Sequence, residues 1–116
     1  MTWATRHIVT LQGGRPATFK PKGNSMEPII KSGQEVTVSP SELPLKVGDI
    51  VLCRVQGSEF LHLIKAMRKI KDKGQFQIGN AQGHINGWTD RSKIYGVLTH
   101  VDGEPVSNQP EATAAA

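Results

Sequence analysis

Asp49–Lys69 reads DIVLCRVQGSEFLHLIKAMRK and predicts a β-hairpin. Its first part, Asp49–Val55, is a mostly apolar run with β-branched residues, which is typical of a buried strand. The turn residues Gln56-Gly57-Ser58 follow directly and indicate a tight hairpin connection. Glu59–Lys69 then predicts a long second strand. The stretch therefore supplies two antiparallel strands from which the rest of the fold can be worked out.

Further strands are predicted on both sides of this hairpin. Alternation in Gln34–Ser39 indicates a strand before it, and Gln75–Ile78 and Ile94–Val101 indicate two strands after it. We interpret the intervening stretch Gly79–Lys93 as a loop. The 12 glycines and 7 prolines leave little room for long helices. The pattern predicts a mainly β protein, a sandwich or a barrel.

Length and composition limit the chain to one small domain. It has 116 residues, too few for two separate cores, and 37% of them are apolar. Cys53 is the single cysteine, which excludes an internal disulfide, and the Cys/His spacing of a zinc site is missing. We expect no cofactor and no metal. The net charge of +4 permits an anionic partner without requiring one.

No segment predicts targeting or membrane insertion. The sequence contains no apolar run of about 18 residues, the length that a membrane-spanning helix needs. Met1–Thr10 also lacks the apolar region of a signal peptide. We therefore expect a soluble, cytoplasmic protein.

A second informative segment, Lys22–Ile30 (KGNSMEPII), places a serine directly after Gly-Asn and just before the first predicted strand. On the local sequence alone, an ordinary turn or capping serine is the favoured interpretation of Ser25. Other short motifs follow it in order. They are VGDIV at Val47–Val51, the strand that carries His62, and Tyr95-Gly96-Val97 in the last strand.

In the order and spacing of these motifs, the sequence from Phe19 to Val101 resembles the superfamily of LexA-type self-cleaving proteins and type I signal peptidases. The resemblance implies a coiled antiparallel β-sheet or partly open barrel, of the type found in the LexA C-terminal domain and in signal peptidases. It also implies that Ser25 is a catalytic nucleophile. We expect an N-terminal arm over residues 1–18, a peptidase-like domain over 19–101 and a disordered tail over 102–116.

A serine nucleophile needs a base, and the strand Glu59–Lys69 offers two. Side chains alternate along a strand, so only one of His62 and Lys65 can point at Ser25 unless a bulge intervenes. The resemblance favours His62, which falls where LexA-like members carry their lysine and is similar to the histidine of archaeal and endoplasmic-reticulum signal peptidases. Those enzymes follow this histidine with Arg-Val, whereas the chain has Leu63-Ile64. The alternatives are a packed histidine at position 62 and a solvated lysine at position 65.

A histidine base works best when a third group fixes its tautomer. The resemblance implies an aspartate from the loop after the Ile78-Gly79 segment, which makes Asp90 the candidate. Asn80 and His84 are second choices. A turn or capping role for Asp90 fits its sequence equally well.

The candidate substrate-binding residues surround Ser25. A tetrahedral intermediate needs donors for its oxyanion, and the Ser25 backbone amide is the natural one. Gly23 leaves room for a substrate strand to approach. Asn24 and Met26 complete the set, with core packing as the alternative for Met26.

Together these features predict a serine endopeptidase that cleaves a peptide bond with Ser25, His62 and Asp90. Neither a repressor nor a membrane signal peptidase is expected, because the 24 residues before Ser25 show no helix-turn-helix pattern and no anchor is visible. The alternative is a catalytically inactive module of the same fold that binds a protein or nucleic acid. A nucleic-acid partner is less expected, because acidic residues interrupt the basic cluster around Lys65–Lys73. The resemblance implies a homodimer.

Overall fold

The computed structural model describes residues 2–23, 25–40 and 44–106. One helix, α1 (Thr5–Gln12), precedes the strands, and a single 3₁₀ turn (Arg91–Lys93) lies between the sixth and seventh of them. The strands are β1 (Ala17–Phe19), β2 (Val36–Ser39), β3 (Ile50–Val55), β4 (Ser58–Ile70), β5 (Lys73–Gly79), β6 (Ile85–Asp90), β7 (Ile94–Val101) and β8 (Glu104–Pro105).

All of these strands belong to one antiparallel sheet. Seven of them follow the order β1-β2-β7-β3-β4-β5-β6, and β8 pairs with β7. The predicted mainly β, antiparallel fold is confirmed. The sheet is not closed into a barrel, since β1 and β6 are its two ends. Its coiling nevertheless brings β6 back against β3, where the Thr89 hydroxyl donates to the Arg54 carbonyl at 2.7 Å.

The predicted hairpin is present as β3 and β4. Val55 pairs with Ser58 across the Gln56-Gly57 turn, and Ile50 pairs with Leu63 at the other end. From Leu63 onwards, β4 pairs with β5 along its other edge. The segment Ser58–His62 therefore pairs only with β3 among the described strands, which leaves its second edge open.

Core residues cover both faces of the sheet, as expected for strands of alternating or continuous apolar character. The first core is formed by buried residues of α1, the segment after Ser25 and one face of the sheet: Ala4, Ile8, Leu11, Ala17, Met26, Ile30, Val36, Val38, Ile50, Leu52, Leu61 and Leu98. The second core lies on the opposite face: Leu45, Val51, Cys53, Val55, Ile64, Phe76, Ile78 and Ile94. Consecutive β3 residues thus alternate between the two cores.

Five elements were not predicted: α1, β1, β6, β8 and the 3₁₀ turn. The helix buries Ile8 and Leu11 against the sheet, within the stretch predicted as an arm. Strand β6 corrects the interpretation of residues 79–93 as a loop. Its sequence INGWTD lacks apolar alternation, and it is held by pairing with β5.

The predicted boundaries at residues 18 and 101 stay predictions. Of the predicted tail, residues 102–106 are described, and Glu104–Pro105 pair with β7. The remaining residues of that tail, 107–116, lie outside the described part of the chain. Among the described residues, no helix has the length and hydropathy that crossing a membrane would require.

Candidate active site

Ser25 lies in the turn that precedes the buried residues Met26 and Ile30. The Ile30 amide donates to the Met26 carbonyl at 2.9 Å, which closes this turn. The Ala81 amide donates to the Ser25 carbonyl at 3.1 Å and ties the turn to the loop between β5 and β6. Burial of Met26 and Ile30 in the first core anchors the chain directly after Ser25, and the Ala81 bond holds the Ser25 carbonyl.

His62 lies within hydrogen-bond distance of Ser25. The Ser25 Oγ is 3.2 Å from the His62 Nε2. The imidazole is 7% exposed and stacks on Phe60, with 5.0 Å between ring centroids and 25° between ring planes. The structure thus brings together the two residues for which the sequence predicted nucleophile and base.

The second nitrogen of His62 contacts a residue that sequence reasoning missed. The Asn86 Oδ1 is 2.7 Å from the His62 Nδ1, and an amide oxygen can only accept a hydrogen bond. With that oxygen in place, Nδ1 carries the proton and donates it, so Nε2 presents its lone pair to the Ser25 hydroxyl. This arrangement is the tautomer that a general base requires.

A bulge directs Asn86 towards the histidine. In the β5–β6 pairing, Gly87 is opposite Ile78 and Ile85 is opposite Gly79, so Asn86 is the extra residue. Bulges often re-aim a side chain next to a functional site. The Asn86-Gly87 dipeptide was the available signal, but it is typical of turns rather than of catalytic residues.

The surroundings of His62 favour its neutral form. Burial lowers the pKa of His62 below its ordinary value of 6.5, and the charges of His84 and Lys65 lower it further. The hydrogen bond with Asn86 acts in the opposite direction. Desolvation is the largest of these effects, and it leaves an imidazole that can accept a proton at neutral pH.

Lys65, the other candidate base, occupies a bulge of β4. Ile64 pairs with Ile78 and Ala66 with Gln77, so Lys65 has no partner in the register. Its stem lies beside Gly79, where an added Cβ would be 3.1 Å from the Lys65 Cε. Among the described residues, the side chain that hydrogen-bonds to Ser25 is His62 and not Lys65.

The candidate orienting residues lie elsewhere. Asp90 is at the end of β6, opposite Gln75. The position next to the His62 Nδ1 that was predicted for Asp90 is occupied by Asn86. Asn80 shapes the loop before β6, since its Oδ1 accepts from the amides of Gln82 and His84. His84 is exposed and acts on His62 only through its charge.

The structure describes two of the three substrate-binding candidates. Gly23 and Met26 both line the cleft that contains Ser25, although Met26 is also buried in the first core. Gly23 has φ of 93°, a conformation that suits glycine. Asn24 lies outside the described residues.

The cleft has a volume of about 440 Å³, within the range of peptide- and ligand-binding sites. Ser25 and His62 line it together with residues of the open edge of β4, Glu59, Phe60 and Leu61. An extended peptide entering the cleft would therefore meet unpaired strand backbone beside the serine.

Residues 7–85 match the protein family described as Peptidase S24-like. The match covers more than half of the chain, contains Ser25 and His62, and ends directly before Asn86. It confirms the resemblance to the LexA-type and signal peptidase superfamily. No curated protein and no solved structure matches the chain.

Proposed function

The chain belongs to the Peptidase S24-like family, and on that basis we propose that it is a serine endopeptidase with Ser25 as nucleophile and His62 as general base. Members of this family are serine peptidases that typically use a serine–lysine pair. The observation that carries the histidine assignment is the 3.2 Å distance between the Ser25 Oγ and the His62 Nε2. Asn86 completes a Ser–His–Asn arrangement as the residue that positions His62.

In the acylation step, His62 Nε2 takes the proton of the Ser25 hydroxyl while Oγ bonds to the scissile carbonyl carbon. The carbonyl π electrons move to oxygen and form the oxyanion. When the tetrahedral intermediate collapses, the C–N bond breaks and His62 gives its proton to the departing amine. The products of this step are an amine and an ester on Ser25.

Deacylation repeats the sequence with water. His62 takes a proton from water, the hydroxide attacks the ester carbonyl, and the C–O bond to Ser25 breaks. The proton returns from His62 to the Ser25 Oγ, which restores the enzyme. The net reaction is peptide hydrolysis, with no redox change and no added cofactor.

In this proposal, backbone groups bind the substrate and stabilise the oxyanion. The Ser25 amide stabilises the oxyanion, as an amide beside the nucleophile does on other folds. Among the described residues, no acceptor is bonded to this amide, so it is available for the role. The extended substrate pairs with the open edge of Ser58–His62, because an unpaired strand edge binds peptide backbone by adding a strand.

The pH dependence of hydrolysis tests the proposal. We expect kcat/KM for the wild-type protein on a mixture of unstructured peptides to rise with pH and reach half its plateau below pH 6.5. The reason is that only neutral His62 accepts the serine proton, and burial lowers its pKa. New peptide termini are counted by mass spectrometry at each pH. Absence of hydrolysis at every pH would refute the function, and a midpoint well above 7 would refute the histidine base.

Two substitutions at Asn86 test its positioning role. Asn86→Leu keeps the branched shape and the number of heavy atoms but removes the acceptor of the His62 Nδ1 proton, and we expect it to lower kcat about 100-fold. Asn86→Asp keeps an acceptor and adds a negative charge beside the ring. Its activity should return at high pH, with the midpoint moved upward because the charge raises the pKa of His62. Equal activity of both variants, or an unmoved midpoint in Asn86→Asp, would contradict the role.

A further inference from the structure

An aromatic wall forms part of the lining of the cleft that contains the catalytic pair. It consists of Trp3, His7 and Phe19, contributed by the residues around α1 and by β1. His7 stacks on Phe19 with 4.3 Å between ring centroids and 19° between planes. The rings of Trp3 and Phe19 are tilted against each other, with 5.8 Å between their centroids, and Trp3 is 51% exposed. An exposed indole at the mouth of a cleft is a contact surface for an apolar group.

The floor of the same cleft is also apolar. Met26, Ile30 and Leu61 line it from the first core, and Phe60 lines it from β4. The space between floor and aromatic wall therefore favours a large apolar side chain over a small or charged one. A small side chain would leave the exposed face of Trp3 in water.

The charge at the rim of the cleft is positive. Lys20, Lys22 and Lys31 line the cleft, and their side chains are exposed. In the part of the chain that the structure describes, none of these three lysines forms an ion pair. Three unpaired ammonium groups at one opening attract acidic side chains.

Glu59, the one carboxylate that lines the cleft among the described residues, does not cancel this charge. Glu59 is 8% exposed and its Oε2 lies 2.7 Å from the Arg54 Nε. Hydrogen bonds from Thr2 and Arg54 hold the pKa of Glu59 below its ordinary value. Its negative charge is thus already matched by Arg54, and the lysines determine the charge preference.

We propose that the cleft selects an extended acidic peptide that inserts a large aromatic or aliphatic side chain against Trp3, His7 and Phe19 close to the scissile bond. This proposal rests on the proposed peptidase function and adds its substrate class. Apolar contact supplies most of the affinity, and the rim lysines supply attraction to acidic residues on either side.

Matched pools of quenched fluorescent peptides test the proposal. Each pool fixes one position as Phe, Ala, Glu or Lys and randomises the others. At the preferred position, we expect the wild-type protein to cleave the Phe pool at least about tenfold faster than the Ala pool. At neighbouring positions, Glu pools should be cleaved faster than Lys pools, and added salt should reduce this difference.

Variants assign each preference to its residues. Trp3→Ala should reduce the preference for Phe, whereas Trp88→Ala, which removes a distant indole stacked under Arg68, should not. Replacing both Lys22 and Lys31 by glutamate should reverse the Glu-over-Lys preference. Replacing both Lys69 and Lys73 by glutamate, at exposed positions of β4 and β5, is the charge-matched control that should keep it.

Labelling of the wild-type serine by a small fluorophosphonate separates the two hypotheses. If the protein is labelled but cleaves Ala and Lys pools as fast as Phe and Glu pools, the substrate class is wrong while the peptidase function stands. The substrate class is also wrong if Trp3→Ala and Trp88→Ala show the same preference for the Phe pool. If neither labelling nor cleavage occurs in any pool, both proposals are overturned.

Discussion

Ser25→Ala is expected to lower kcat/KM for peptide hydrolysis about 10⁴-fold or more, which is the scale seen when a nucleophilic serine is removed from a catalytic triad. The change removes the Oγ that lies 3.2 Å from the His62 Nε2. It deletes one half-buried hydroxyl and fills no space, so the fold should persist. Activity is measured as new peptide termini, and folding by circular dichroism.

Ser92→Ala is the matched control for this experiment. Ser92 is exposed on the 3₁₀ turn and does not line the cleft. It should therefore keep wild-type kcat/KM and wild-type stability. If Ser25→Ala retained more than a tenth of the activity in a folded protein, another group would have to be the nucleophile and the proposed chemistry would be wrong.

Gly96→Ala is expected to lower the stability of the fold strongly. A Cβ at Gly96 would lie 2.8 Å from the Val38 Cγ1, 2.9 Å from the Ser39 carbonyl oxygen and 3.1 Å from the Leu11 Cδ2. These neighbours belong to β2 and α1, which pack against β7 and have little freedom to move. Overpacking of this kind costs about 1–3 kcal/mol, so the free energy of unfolding should fall by that amount. Urea titration monitored by tryptophan fluorescence measures it.

The control for this prediction is Gly74→Ala, in β5. There the nearest atoms to an added Cβ belong to Phe76 and lie 3.8 Å away, which is ordinary van der Waals contact. Alanine should be neutral or slightly stabilising at this position, because it restricts the unfolded chain more than glycine does. If the two alanine variants unfolded at the same urea concentration, the close packing at Gly96 would not be the reason for its glycine.

The sequence predicted the central strands because their apolar pattern is determined by burial. Residues of β3 alternate between two cores, and β7 was predicted with the bounds that the structure has. The helix α1 was missed although Ala4, Ile8 and Leu11 have helical spacing, because the segment is short and its N-terminus has no side-chain cap. Its stability comes from packing onto the sheet rather than from its own sequence.

The candidate site was predictable to a different extent for each residue. Ser25 and His62 belong to motifs whose order in the chain carries information, and the structure brings them within hydrogen-bond distance. Asn86 was not predictable, because its orientation depends on a bulge in a strand without apolar alternation. The aromatic wall was missed for a similar reason: Trp3 and His7 reach the cleft only because α1 docks on the sheet.

Lys65 illustrates how one extra residue changes such a prediction. Strict alternation placed His62 and Lys65 on opposite faces, and the bulge at Lys65 removes that restriction. The contact with Ser25 is nevertheless made by His62, whose imidazole is ordered by Phe60 on one side and by Asn86 at Nδ1. A histidine held in this way needs only mild desolvation to act as a base at neutral pH, whereas a lysine needs a much larger fall in its pKa.

The central claim is that Ser25 is a nucleophile activated by His62, and covalent labelling tests it most directly. The wild-type protein and the His62→Ala variant are treated with an ethyl fluorophosphonate, digested and analysed by mass spectrometry. We predict one phosphonylated residue in the wild type, Ser25, and labelling at least about 100-fold slower in His62→Ala. No adduct on Ser25 in the folded wild-type protein, or equal labelling rates in both proteins, would contradict the claim.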